Sequence, residues 1–139
     1  MITVEISESD LNKLVRTAGR NPGLSVLNNL SDFKLLDGCR ISFEQSFKLS
    51  TTPLVELSAD SSGKLVIEIL RWADNSIGNF FLQMVEGKIT GFIEEKTQGI
   101  LHKESASTLS CDVKRFLPCC KCRKVSGNSQ KLIFDISAE

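Results

Sequence analysis

Tyrosine is missing from this chain, and histidine and tryptophan occur once each. His102 has no nucleophile at motif spacing, so it supports no Ser-His-Asp or Cys-His assignment. Glycine never gathers into a loop with phosphate-cradle spacing, which leaves nucleotide binding without support. No run approaches the roughly 18 consecutive apolar residues that a membrane-spanning helix needs. The opening Met1-Ile2-Thr3-Val4-Glu5-Ile6 lacks the basic and apolar stretches of a secretory signal, and a cytoplasmic protein is expected. Nor is one sign of charge in excess: 17 basic residues balance 17 acidic ones. That balance argues against a dedicated nucleic-acid binder, whose footprint is strongly basic.

What remains is an ordinary globular composition, 41% hydrophobic and 24% charged over 139 residues. A chain of this length buries roughly 70% of its unfolded surface, enough for one core without staples. A single domain over 1–139 is the expectation.

The cysteines are the one concentrated chemical feature. Cys111, Cys119, Cys120 and Cys122 fall in a window that also holds Lys114, Arg115, Lys121, Arg123 and Lys124. A structural zinc site takes four soft ligands, two of them often from a Cys-x-x-Cys turn. Cys119 and Cys122 supply that spacing, with Cys111, Cys39 or His102 to complete it, but no second paired knuckle exists. If Cys120–Val125 is a strand, Cys119 and Cys122 point to opposite faces and cannot share a metal, while Cys120 and Cys122 share one face. Packing as small hydrophobes, zinc binding and thiol chemistry are the competing roles. No metal or cofactor is assigned, and no catalytic residue.

Periodicity organises the rest. Ile2, Val4 and Ile6 alternate as in a half-buried strand. Ser7, Ser9 and Asp10 offer N-cap oxygens, and Leu11, Leu14, Val15 and Ala18 then form one helical stripe that Gly19 and Asn21-Pro22-Gly23 stop. The segment from Leu24 reads as loop leading into a strand near Phe33–Leu36. Asp37-Gly38 is a two-residue turn signal with positive φ expected at both positions. Ile41, Phe43, Gln45, Phe47 and Leu49 alternate, as do residues of Leu54–Ala59 and of Lys64–Trp72. From about Asn79 to Lys96 the period becomes helical: Phe81, Met84, Val85, Ile89, Phe92 and Ile93 share a face, with Glu94 and Glu95 on the wet side. Asp112 would cap a short helix, and Cys120–Val125 with Lys131–Ile136 form a closing hairpin. The expected fold is α+β: a twisted antiparallel sheet, one long amphipathic helix on a face, and short capped helices near each end.

Eight phenylalanines without a tyrosine give large apolar surfaces with no polar handle. Most such residues build core. Phe43, Phe47, Phe81, Met84 and Phe92 are the candidates to line a groove between helix and sheet that accepts a lipid or another apolar small molecule.

The strand and short helix Ile2–Ile6 with Ser9-Asp10-Leu11-Asn12-Lys13-Leu14, the long antiparallel strands, the amphipathic helix, and Leu109–Pro118 before a last hairpin together resemble small bacterial domains of the tubular lipid-binding (BPI-like) superfamily. That resemblance is one of pattern and covers most of the chain. It implies a hydrophobic groove between helix and sheet and no catalytic residues. The expected function is therefore non-enzymatic binding of an apolar ligand. The alternative is a zinc-stabilised protein interaction module built on the Cys111–Cys122 cluster.

Overall fold

Strand β1 (Ile2–Ser7) runs directly into helix α1 (Glu8–Ala18). Ser7 is the N-cap: its hydroxyl accepts from Asp10 N–H, and the Asp10 carboxylate accepts in return from Ser7 N–H. This reciprocal box satisfies two helix-end donors, which is why the strand-to-helix switch needs no loop. The computed structural model describes all residues 1–139.

A 3-10 segment, Pro22–Asn29, follows where a loop was expected. Strands β2 (Leu30–Leu36), β3 (Arg40–Gln45), β4 (Leu54–Ala59) and β5 (Leu65–Arg71) then build a meander. Two helices come next, α2 (Ser76–Met84) and α3 (Glu86–Lys96), and a β6 (His102–Ser105) and β7 (Thr108–Cys111) hairpin returns the chain to the sheet. After a 3-10 turn capped by Asp112, β8 (Cys120–Gly127) and β9 (Lys131–Ala138) close the chain.

The fold is α+β and antiparallel, with two departures from expectation. There are two sheets: six strands ordered β2-β3-β4-β5-β7-β6, and three ordered β1-β9-β8. The first strand pairs with the last, Ile2 opposite Ile136 and Ser7 opposite Lys131, a pairing across the whole chain that local periodicity does not encode. The second departure is the long helix. It is broken at Val85, whose φ −118°, ψ 12° belongs to neither neighbour. Trp72 explains the break, because it anchors each helix separately. Its backbone N–H donates to Asn79 Oδ1 on α2 (2.7 Å), and its indole N–H donates to Glu86 Oε2 at the start of α3 (2.8 Å).

A smaller shift occurs at Asp37-Gly38. Positive φ falls on Gly38 (+78°) and Cys39 (+59°), one residue later than a two-residue turn would place it.

The core lies where α1 and the small sheet meet one face of the large sheet. Phe33, Leu35, Ile41, Val55, Leu57 and Leu132 are buried there, with Leu11, Val15, Val125 and Phe134 packed around them. The Asp60–Gly63 turn locks the sheets together: Gly63 O accepts from Cys122 N–H at 2.9 Å. A Cβ at Gly63 would lie 2.5 Å from the Lys121 Cβ, and its φ is +88°, so only glycine fits this approach.

Candidate functional site

Helix α2 is the anomaly of the surface. Asn75 caps it through a side-chain oxygen on Gly78 N–H (2.6 Å). Between Asp74 and Glu86 no residue is charged, yet none of the helix is buried. Ile77, Phe80, Phe81 and Met84 are 60–73% exposed, and Val85 extends the patch. Phe80 and Phe81 meet edge to face, centroids 6.0 Å apart. An apolar helix on a soluble surface ordinarily hides one stripe against the core. This one turns its stripe outward, and contiguous exposed apolar surface marks an interaction site.

A second apolar projection stands at the same end of the large sheet. Leu54 opposes Arg71, so the Ser46–Pro53 loop and the Trp72–Asn75 segment leave that end together. The loop is shaped by one side chain. Gln45 donates its amide to Leu49 O and to Thr51 Oγ1, and accepts from Phe47 N–H. This leaves Phe47 and Leu49 exposed on either side of Lys48. Phe47 rests on Phe92 of α3, centroids 5.0 Å apart. The Lys48 ammonium lies 5.8 Å from the Phe47 ring centroid and the Lys96 ammonium 5.4 Å from that of Phe92, so cations border the apolar surface.

The five expected groove residues therefore separate. Phe43 stacks on Phe33 at 5.0 Å and belongs to the core. Phe47 and Phe92 form a surface pair, and Phe81 and Met84 lie on the outward face of α2. Two clefts open elsewhere. One of about 330 Å³ lies between Asn12, Val15 and Arg16 of α1 and Leu27–Phe33. Another of about 270 Å³ is lined by Lys64, His102, Ser110, Asp112 and Arg115. None of the five lines either cleft. Ile77 and Leu49 are further members of the exposed surface. The uncharged run from Asn75 to Val85 was the available signal for Ile77; nothing local marked Leu49.

The cysteines scatter. Cys119 lies just before β8, exposed with φ +64°, whereas half-buried Cys120 and buried Cys122 sit opposite Ala138 and Ile136 and so share one face of the strand. All five are free thiols. No three His, Cys, Asp or Glu side chains are grouped to hold a metal ion. Burial pushes the thiols of Cys122, Cys111 and Cys39 up from their ordinary value, against the thiolate that ligation or exchange requires.

His102 sits on the edge strand β6. Its Nδ1 lies 2.6 Å from Glu94 Oε2, and the same carboxylate accepts from Lys103 N–H at 2.8 Å. Glu94, expected on the wet side of the helix, instead ties α3 to the sheet edge. No helix is long and apolar enough to cross a membrane.

Comparison with family models, with curated proteins and with solved structures finds no match for the chain. Its site must be understood from its own geometry.

Proposed function

We propose that this chain is a non-enzymatic binding domain whose apolar ligand is lipid, met on the outward face of α2 and the Phe47–Leu49 loop tip. One observation carries this: Ile77, Phe80, Phe81 and Met84 stand together in water on a helix with no charge and no buried residue. Full burial of side chains of this size contributes about 1.5–3 kcal/mol each. Lys48 and Lys96, over the Phe47 and Phe92 rings, are exposed, and a lysine near an anionic bilayer adds about 1 kcal/mol. Interfacial binding combines apolar side chains sunk into the bilayer boundary with lysines that meet anionic headgroups; here α2 supplies the first and neighbouring elements supply the second. The resemblance to tubular lipid-binding domains points to the same ligand class, with contact on the surface in place of a closed groove.

No three His, Cys, Asp or Glu side chains are grouped around one point, which favours the lipid reading over a zinc-stabilised module.

Flotation with phosphatidylcholine vesicles, with and without phosphatidylserine, tests the proposal. Binding should rise with phosphatidylserine and fall when Phe81 and Met84 are both changed to serine. No binding to either vesicle, or binding that the double substitution leaves intact, would overturn it.

A further inference from the structure

A β-sheet edge presents a row of unpaired N–H and C=O groups, and proteins usually cover or blunt it. Three of the four edges here hydrogen-bond to groups outside their own sheet. On β2, Phe33 N–H donates to Asn12 Oδ1 (2.9 Å), Asn12 Nδ2 donates to Phe33 O (3.0 Å), and Leu35 N–H donates to Glu8 Oε1 (2.9 Å). On β6, Glu94 accepts from Lys103 N–H. On β8, Gly63 O accepts from Cys122 N–H. The fourth edge, the outer side of β1, is bare: from Ile2 to Ile6 the backbone bonds only to β9.

We infer that β1 pairs with β1 of a second copy of this chain, antiparallel about a two-fold axis at Val4. The strand is self-complementary in that register. Ile2 falls opposite Ile6 of the other copy, Val4 opposite Val4, and Thr3 opposite Glu5, so apolar meets apolar and no like charges face each other. Ile2, Val4 and Ile6 lie on the face whose β9 neighbours are Ile136, Phe134 and Leu132. Ile2 is 59% exposed and Val4 36%, and a second copy would extend that apolar face across both. On the opposite face Lys131 Nζ lies 3.3 Å from Glu5 Oε1, and Thr3 donates to Asp135 Oδ1 at 3.2 Å. Each charge at this edge already has its partner within one copy. The strand has no lysine, no proline and no bulge, and its one charge, Glu5, is engaged by Lys131 of β9. A two-fold pairing uses the same surface on both copies and closes at a dimer, joining the two small sheets into one of six strands.

Sedimentation equilibrium over a concentration series tests this. The protein should dimerise, and Val4→Lys, which sets two ammonium groups against each other on the axis, should raise the dissociation constant at least roughly tenfold. Val4→Thr should keep the dimer. A wild-type protein monomeric throughout the series, or a dimer untouched by Val4→Lys, would overturn the inference. If Val4→Lys fails to fold, amide exchange in wild-type protein decides: protection at Ile2–Ser7 must grow with protein concentration, and constant protection there would sink it.

Discussion

Two phenylalanine pairs in this molecule have opposite fates. Phe33 and Phe43 stack at 5.0 Å inside the packed face of the large sheet, whereas Phe80 and Phe81 touch edge to face at 6.0 Å in solvent. The residue type is the same, and so is its cost in water. What separates the pairs is whether a second layer exists to receive them. Strand alternation aims Phe33 at α1 and the small sheet; α2 is held by its cap and by the Trp72 backbone, neither of which covers its outer stripe. Apolar content is thus a poor guide to core membership. Anchoring by polar contacts lets a helix keep its apolar face in solvent.

The largest expected effect tests the buried side of that contrast. Leu132 is 1% exposed and joins the small sheet to the large one. Leu132→Ala should cost about 2–5 kcal/mol in urea unfolding, through lost transfer energy and the cavity left behind. A loss under about 1 kcal/mol would mean that the two sheets do not share a core.

Asn12→Ala comes next, at about 1–3 kcal/mol, because it strips both backbone groups of Phe33 of their partners. Leu14→Ala, on the exposed side of the same helix, should cost well under half as much. Equal losses would show that covering the β2 edge contributes nothing beyond helix packing.

A smaller effect belongs to pH. Partial burial raises the Asp60 carboxyl, but hydrogen bonds from Ser62 and Lys64 and the Lys64 charge outweigh it, and the net direction is down. A folded pKa below the unfolded one means that Asp60 stabilises above the ordinary carboxylate range, near pH 4, and loses its contribution as pH falls through the folded value. Asp60→Asn should therefore lower the melting temperature at neutral pH and lose that difference in acid. A difference that persists unchanged at low pH would assign the turn's stability to shape instead of charge.

The sequence made individual elements legible and left their company hidden. The Ser7 cap, the α1 stripe, the β3 alternation as far as Gln45, and the shared face of Cys120 and Cys122 follow from spacing within one element, whereas the expected continuation of β3 through Phe47 and Leu49 is a loop. Pairing of β1 with β9 does not, because nothing local distinguishes it from joining the meander. The break at Val85 escaped for a related reason. The apolar period of Phe81–Ile93 continues through it, while its cause is Trp72, a residue outside the helix. At the candidate site, Phe81, Met84 and Phe47 were identifiable as apolar but not as exposed, and Phe92 is half-buried beneath Phe47. Periodicity finds a stripe and is silent on whether that stripe faces core or solvent.

Phe81→Ser has the smallest expected effect on stability and for that reason tests the contrast most sharply. Phenylalanine and serine have similar helix propensity, and Phe81 is 62% exposed, so the change should stay within about 0.5 kcal/mol. Phe43→Ala removes a ring stacked in the core and should cost several times more. On vesicles the order should reverse: below its melting temperature the Phe43 variant should float like wild type, and the Phe81 variant should float less. If instead Phe81→Ser destabilised as much as Phe43→Ala, α2 would be packing against something within the chain, and the proposal that its outward face meets lipid would fall.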